Sequence, residues 1–165
     1  MKVLVAVDAS GGSKKAVAFA GRLLAGRKDP QCSITLFHVV ESLPEYILTK
    51  SESGGTGSAT WQVVDEWAQT SRAQGDALLA ELSQALTAAG VAASQVQTKL
   101  CQKECRPESE RVVAAVAIIG EMQQGHYDLV IVGRRGDSAA IPTFLGGVAE
   151  KVTRAAAGRA VCVVD

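Results

Sequence analysis

The stretch from Asp128 to Gly136 reads Asp-Leu-Val-Ile-Val-Gly-Arg-Arg-Gly and indicates how this chain folds. Its four consecutive apolar residues, three of them β-branched, are typical of a strand covered on both faces of a parallel sheet. The strand runs straight into Gly133, and a glycine there favours a turn at the edge of the sheet. A similar apolar run opens the chain at residues 3–7 and ends at Asp8. Both runs predict buried parallel strands.

Strands and helices are predicted to alternate along the whole sequence. The strands are expected over residues 3–7, 33–40, 95–100, 128–132 and 160–164. The helices are expected from Ser10, an N-cap candidate, to about residue 26, over 61–89, from about Pro107, and over 145–156. Because βαβ units are right-handed, this order gives a parallel sheet with helices on both faces. The sequence therefore predicts one doubly wound α/β domain spanning residues 1–165.

Two features interrupt this regular pattern. Residues 41–60 contain Pro44 and a Gly- and Ser-rich stretch, so we expect a mobile loop there. Gly75 lies inside the long second helix and is expected to weaken it. The third helix is expected to carry four apolar positions, Val112, Val113, Val116 and Ile119.

Charge and hydropathy exclude several classes of function. Lys and Arg number 17, and Asp and Glu also number 17, so the formal net charge is zero. This balance argues against nucleic acid or an anionic membrane surface as the main partner. No apolar run approaches the roughly 20 residues that a membrane span needs, and the first run is too short for a signal-peptide core. We therefore expect a cytoplasmic protein with no membrane span and no nucleic-acid partner.

Four cysteines are scattered along the chain and are expected to be reduced thiols that act as small core residues. Cys101 and Cys105 are close enough in sequence to form a redox pair or half of a metal site instead. Zinc patterns need two further ligands at suitable spacing, and the sequence places none nearby. No metal site is predicted.

Unusual residues lie at the carboxyl ends of three of the predicted strands: Asp8 closes the first, residues 38–40 close the second, and residues 133–136 follow the fourth. In a doubly wound sheet, ligands bind outside these ends where the strand order reverses. Glycines let the backbone approach an anion, and Gly146 and Gly147 precede a helix whose free N–H groups would point at it. The pattern predicts a phosphate site made from backbone.

The same residues also have purely structural interpretations. The glycines are compatible with turns and close packing alone, and Asp8 with a cap on the following loop. His38, near the end of an apolar strand, reads as a buried histidine with a satisfied hydrogen bond rather than as a catalytic base. Arg134 and Arg135 are candidates for a phosphate clamp or for solvated loop charges. The spacing alone leaves both interpretations open.

The sequence departs from the motifs of two enzyme classes that bind or act at such a site. The Ser-Gly-Gly-Ser segment at 10–13 is similar to the pyrophosphate loop of PP-loop adenylating enzymes, but Lys14 and Lys15 follow it where such loops carry an acidic residue and a hydroxyl. No Gly-x-Ser-x-Gly follows a strand, which excludes a nucleophile-elbow hydrolase. No catalytic residues are predicted, and slow ATP hydrolysis is the most that we expect.

Five segments taken together carry a resemblance that covers almost the full length. They are 3–8 with Ser10 and 13–16, then 36–39, 127–133, 144–152 and 160–164. In these segments the chain resembles the universal stress protein family. The resemblance implies an adenine nucleotide alpha hydrolase-like fold, a sheet of five strands in the order 3-2-1-4-5, and a homodimer that pairs the last strand, Ala160–Val164, with its counterpart.

The resemblance also implies a nucleotide site. ATP-binding members of the family carry Gly-x2-Gly-x9-Gly-Ser/Thr, and Gly147 stands here in place of the Ser or Thr. Cys105-Arg106-Pro107 replaces a glycine common after the third strand, while Ser138 and Thr143 are candidates for the missing hydroxyl. The ligand implied is ATP, with AMP or another nucleotide as options and Mg²⁺ alongside ATP. The implied site residues are Ala6, Val7, Asp8, Val39, Val40, Gly133, Arg134, Gly136, Gly146, Gly147 and Val148.

These observations give two main expectations of function. The first is a dimeric stress-response regulator. Its bound adenine nucleotide shifts the population of the protein's conformations and so alters a surface that an unknown regulatory protein recognises. The second is a family member that has lost the ligand and acts as an interaction module, for which Gly147 is the main support. An adenylyl-transferring enzyme is a third class, and it would need to release pyrophosphate.

Overall fold

The computed structural model describes residues 1–27, 29–40, 58–102, 114–135 and 145–165. Ten elements follow one another in this part of the chain. They are β1 Lys2–Val7, α1 Gly11–Leu24, β2 Ser33–Val39, α2 Ser58–Ala88, a short 3-10 turn Ala93–Gln95, β3 Val96–Cys101, α3 Ala114–Gln124, β4 Leu129–Gly133, α4 Gly147–Arg154 and β5 Ala160–Val164. Strand and helix alternate as predicted.

The five strands form one sheet in the order β3-β2-β1-β4-β5, and every pairing is parallel. The predicted doubly wound sheet and its strand order are confirmed. In the central strand, Ala6 pairs with Phe37 on one side and with Val132 on the other. The chain winds from β1 towards β3 and then crosses over to β4, so the order reverses between β1 and β4. That is the position at which such sheets bind ligands.

Helices cover both faces of the sheet. Side chains alternate between the two faces along a strand, so Val3 and Val5 pack with α1 and α2, while Leu4 and Ala6 pack with α3 and α4. Val3, Leu4 and Val5 are fully buried. This two-sided burial explains why β1 and β4 read as continuous apolar runs in the sequence.

The buried face of α3 differs from the apolar positions taken from the sequence. Val116 is 66% exposed, whereas Ala115, Ile118 and Met122 are buried. The i, i+3, i+7 spacing of these three residues forms one helical stripe, and Val116 lies about 100° away from Ala115 around the helix axis. Val112 and Val113 fall outside the described residues.

Gly75 has a packing role in α2. It is buried, and a Cβ atom there would lie 2.6 Å from Leu100 Cδ1 and 2.9 Å from His38 Cδ2. The glycine lets the long helix approach β2 and β3 closely, which accounts for a residue of poor helix propensity at this point.

Some sequence predictions fall outside the described residues. The mobile loop is expected over residues 41–60, and of these, residues 41–57 lie outside the described part of the chain. Residues 58–60 belong to α2 instead of the loop. Cys105 and its two following residues are also outside. Among the helices of the described ranges, none combines the length and the apolar character that crossing a membrane requires.

Candidate functional site

A cleft of about 800 Å³ opens over the carboxyl ends of β1, β2 and β4. Its volume is in the range of small-molecule sites. Gly136 lies outside the described residues, and all the other predicted site residues line this one cleft. They are Ala6, Val7, Asp8, Val39, Val40, Gly133, Arg134, Gly146, Gly147 and Val148.

Asp8 stands at the end of β1 and is held by the start of α1. Its Oδ1 accepts hydrogen bonds from the Ser10 N–H at 3.0 Å, from the Ser10 hydroxyl, and from the Ser13 hydroxyl at 2.6 Å. The Asp8 N–H in turn donates to Ser13 Oγ at 2.8 Å. Within the described part of the chain, no hydrogen bond reaches Oδ2. Asp8 therefore offers the cleft one acceptor oxygen on a fixed side chain.

The charge state of this carboxylate follows from the same contacts. Partial burial raises the pKa of Asp8, but the hydrogen bonds from Ser10 and Ser13, with a contribution from the charge on His38, outweigh burial. The pKa therefore lies below its ordinary value of 3.8. Asp8 is ionised at neutral pH and acts only as an acceptor.

Glycines bring three backbone segments together at the edge of the cleft. A Cβ at Gly133 would lie 2.8 Å from the carbonyl carbon of Gly12, and a Cβ at Gly12 would lie 2.3 Å from the carbonyl oxygen of Arg135. A Cβ at Gly146 would lie 3.1 Å from the carbonyl oxygen of Arg134. The ends of β4, α1 and α4 can meet here only because side chains are absent.

Gly147 differs from these glycines. Among the described residues, no atom lies within 4 Å of a Cβ built at Gly147. Gly147 itself lines the cleft. Close packing against the described part of the chain therefore does not explain a glycine at this position, and a serine Cβ would fit beside those residues.

The first turn of α4 presents hydrogen-bond donors to the cleft. Gly146 is its N-cap and supplies no side-chain cap, while the carbonyl oxygen of Gly146 accepts from the Glu150 N–H at 2.9 Å. The first N–H groups of a helix have no partner inside the helix and carry its positive end. Here these groups belong to Gly147, Val148 and Ala149, all of which line the cleft. Such a terminus suits an anion.

The structure places the Arg134 guanidinium on a carboxylate. Its Nη1 is 2.6 Å from Asp165 Oδ2, and its backbone N–H donates to the carbonyl oxygen of Val164 at 2.6 Å. The hydrogen bond from Arg134 holds the pKa of Asp165 below its ordinary value. Arg134 thus lines the cleft and also connects it to the end of β5.

The end of β2 contributes an acceptor and an apolar surface. The Val40 N–H is donated to the carbonyl oxygen of Cys101 at 2.9 Å. The N–H of Val40 is thus used within the sheet, and its carbonyl oxygen is the backbone group that has no partner among the described residues. Ala6, Val39 and Ile118 are buried apolar residues beside it. This part of the cleft suits a flat, largely apolar group that carries an N–H donor.

Sequence reasoning missed one wall of the cleft, which is formed by α2. Its lining residues follow helical spacing, with Trp67, Ser71, Gln74 and Leu78 beside Gly75. That spacing is visible in the sequence and places them on one face. His38 of β2 lies against this wall, with its Nδ1 2.8 Å from the carbonyl oxygen of Val7. The sequence interpretation gave a buried His38 with a satisfied hydrogen bond: the structure shows the hydrogen bond, but the residue is only half-buried because it borders the cleft.

Among the residues that the structure describes, no group of three or more His, Cys, Asp and Glu side chains is arranged to hold a metal ion.

The fold and the cleft define a doubly wound α/β protein with a ligand-sized cleft at the point where its strand order reverses. The family model of the universal stress protein family matches residues 1–163. The chain belongs to the universal stress protein family.

Solved structures support the same fold. The universal stress protein UspA from Lactobacillus plantarum superposes with a TM-score of 0.70 at 18% identity, covering 100% of this chain and 97% of that chain. A universal stress protein in complex with cAMP has a TM-score of 0.59 at 20% identity, covering 99% and 95%. A family protein from Arabidopsis thaliana with AMP bound has a TM-score of 0.58 at 19% identity, covering 99% and 90%. A search of curated proteins gives no match.

Proposed function

We propose that the protein binds an adenine nucleotide, ATP or AMP, in the cleft at the carboxyl ends of β1, β2 and β4. One observation carries the proposal: an ionised Asp8, Val40 at the end of β2 and the first turn of α4 line one cleft. Two relatives solved with cAMP and with AMP support this ligand class. We propose that the site residues predicted from the sequence, which line this cleft apart from Gly136, contact the nucleotide.

Hydrogen-bond acceptors and donors lie on opposite sides of the cleft, and this arrangement would orient such a ligand. Acceptors lie at the ends of β1 and β2, and backbone donors lie at the start of α4 beyond β4. Strands are about 4.7–4.9 Å apart, so the end of β2 and the end of β4 are separated by about 10 Å. A nucleoside on the acceptor side and its phosphates at α4 would match this arrangement of charge. A simple anion would leave the acceptor side unused.

Gly147 sets the strength of the proposed site. It keeps the backbone N–H but supplies no hydroxyl to a phosphate. A hydrogen bond to a charged group contributes about 1.5–3 kcal/mol, so binding is expected to be roughly ten- to a hundredfold weaker than with a serine there. Mg²⁺ would enter bound to the ATP phosphates. In this chain the donors to phosphate would be the backbone N–H groups of 147–149.

We further propose that the protein acts as a homodimeric regulator joined through β5. This strand is the edge of the sheet, and Val161, Cys162, Val163 and Val164 are only half-buried in the isolated chain. An apolar edge strand with unpaired backbone groups favours pairing with a second copy. Arg134 links the cleft to Val164 and Asp165, so a bound ligand would act on the same strand.

Titration calorimetry with ATP, AMP, cAMP and GTP tests the ligand. The purified protein, stripped of bound small molecules, is expected to bind ATP or AMP saturably and GTP more weakly. Val148→Glu places a negative charge at the first turn of α4 and should abolish binding. Val116→Glu is the matched control, because Val116 is exposed on α3 and does not line the cleft. Equal affinities in both variants would contradict the proposed site.

The second candidate is an interaction module without a nucleotide. Gly147 favours it, because this residue removes the hydroxyl that the family pattern of ATP-binding members carries. Flat titrations with all four nucleotides, for a protein that is folded and carries no bound ligand, would support this candidate and overturn the first.

A further inference from the structure

We propose that His38 is a specificity-determining residue whose Nε2 accepts a hydrogen bond from an N–H or O–H group of the nucleoside part of the ligand. This inference rests on the proposed function and adds a contact on the α2 side of the cleft. The sequence interpretation did not place His38 among the site residues.

The hydrogen bond to Val7 fixes the role of each ring nitrogen. Nδ1 lies 2.8 Å from the carbonyl oxygen of Val7, which can only accept. Nδ1 therefore carries the proton. In the neutral imidazole the other nitrogen, Nε2, then has a lone pair and no proton. The main chain of β1 thus makes His38 an acceptor at Nε2.

Packing fixes where this acceptor lies. A Cβ at Gly75 would be 2.9 Å from His38 Cδ2 and 3.5 Å from Nε2, so this edge of the ring rests on the backbone of α2 where a side chain is absent. The ring is held by Val7 on one side and by Gly75 on the other. His38 lines the cleft. In the described part of the chain, no protein group hydrogen-bonds Nε2.

The surroundings favour a donor group of the ligand. Asp8 and His38 both line the cleft, at the ends of the neighbouring strands β1 and β2. Asp8 Oδ2 and His38 Nε2 are both acceptors without partners among the described residues. Such a pair repels phosphate oxygens and attracts hydroxyl or amino hydrogens. Ser71 and Gln74 border the same region and make no hydrogen bond to His38.

A nucleoside supplies this chemistry from two places. Its ribose carries the 2′ and 3′ hydroxyl groups, and adenine carries an exocyclic amino group. Each can donate to an imidazole nitrogen. The two sources are separated by using 2′-deoxy-ATP and 3′-deoxy-ATP for the hydroxyls, and purine riboside triphosphate, which lacks the amino group, for the base.

Two substitutions separate the ligand contact from the contact to Val7. Asn at position 38 places an amide near Nδ1 and can still donate to Val7, but it has no acceptor at the Nε2 position. Gln places an amide oxygen near Nε2 and loses the bond to Val7. His126→Asn is the control, because His126 is exposed and does not line the cleft. Circular dichroism checks that each variant is folded.

Calorimetric affinities of the wild type for ATP and the three analogues give the decisive ratios. The wild type should prefer ATP over one analogue by about two- to tenfold, as expected for one hydrogen bond. His38→Asn should lose that preference, while His38→Gln and His126→Asn should retain it. In the wild type, the ¹⁵N resonance of Nε2 should move when ATP binds.

The outcomes separate the two proposals. If the wild type binds ATP but His38→Asn keeps every ratio and the Nε2 resonance stays in place, the role of His38 is overturned and the proposed function stands. If the wild type binds none of these nucleotides, the proposed function fails, and the role of His38 fails with it.

Discussion

The backbone N–H of Gly146 donates a hydrogen bond of 2.8 Å to the carbonyl oxygen of Arg134. This bond joins the end of β4 to the start of α4 across eleven intervening positions of the sequence. The contact would crowd a side chain at Gly146, whose Cβ would lie 3.1 Å from the same oxygen, so the Arg134 carbonyl would have to move by a few tenths of an ångström. The donor end of the cleft is therefore formed by the protein itself, before any ligand enters.

Gly146 and Gly147 are adjacent glycines with different steric requirements. Gly146→Ala places a methyl group against the Arg134 carbonyl, so it should displace the start of α4 and weaken ATP binding at least tenfold. Gly147→Ala places its methyl group where no described residue lies within 4 Å, so it should change the affinity less than threefold. Calorimetry on both variants measures the difference. Equal losses would show that the contact to Arg134 does not position the donors.

Gly147→Ser should strengthen nucleotide binding. The hydroxyl adds a donor at the start of α4, and no described residue lies within 4 Å of the Cβ that would carry it. A hydrogen bond to a charged oxygen predicts a gain of roughly ten- to a hundredfold in ATP affinity. Gly120→Ser is the control, since a Cβ at Gly120 of α3 also meets no described residue within 4 Å and Gly120 does not line the cleft. An unchanged affinity in Gly147→Ser would contradict a phosphate at this position.

Asp8 should give the protein stability that depends on pH. Its pKa is lowered in the folded state, so its contribution is full above the ordinary value of 3.8 and is lost as the pH falls through the lower, folded-state value. Asp8→Asn should therefore reduce the free energy of unfolding at pH 6, and the difference from the wild type should shrink below pH 3.8. Urea denaturation from pH 2.5 to 7 measures it. A difference that stays constant with pH would exclude the ionised carboxylate as the cause.

Tyr127→Phe should destabilise the fold without affecting the cleft. The Tyr127 hydroxyl donates to Glu121 Oε1 at 2.8 Å, and both residues are buried. Burial raises the pKa of Tyr127, a hydrogen bond from Thr35 lowers it, and Glu121 raises it further, so the pKa ends above its ordinary value. Loss of the hydroxyl should cost about 1–3 kcal/mol in urea denaturation, because Glu121 loses a partner.

Lys14→Met is the control for that measurement. It removes an ion pair to Glu81 in which both side chains are exposed, so its cost should stay below about 1 kcal/mol. Equal costs for the two variants would show that the buried hydroxyl contributes nothing specific. Both variants should bind ATP like the wild type, because neither residue lines the cleft.

Val163→Lys should separate the proposed dimer. Val163 lies on β5, and a lysine on an edge strand disfavours pairing with a second strand. Static light scattering should give the mass of a dimer for the wild type and of a monomer for the variant. Val116→Lys, with its charge on an exposed position of α3, should remain dimeric. A dimer that survives Val163→Lys would place the interface elsewhere.

Much of the fold could be predicted from the sequence because its signal is local. Apolar runs such as residues 3–7 mark buried strands, and glycines at their ends mark the edge where ligands bind. The sequence indicates less clearly which face of a helix packs against the sheet. Ala115 and Val116 are adjacent in α3, and the sequence does not show which of them faces the sheet. In the structure, the smaller Ala115 is buried and Val116 is exposed.

The α2 wall of the cleft could not be predicted for a similar reason. One face of α2 carries Trp67, Gln74 and Leu78. Because this face mixes polar and apolar side chains, its sequence does not indicate whether it faces the core, a cleft or solvent. The role of Gly75 depends on its contact with His38, a residue 37 positions earlier in the chain. Contacts between distant segments decide both features.

Chemical-shift mapping of the ¹⁵N-labelled protein with ATP tests the central claim most directly, because it reports binding and its location together. The account predicts saturable shifts of the amide resonances of Asp8, Val40 and Gly147–Ala149, with those of β3 and of the carboxyl end of α2 unchanged. An absence of saturable shifts, or shifts centred away from the carboxyl ends of β1, β2 and β4, would contradict it.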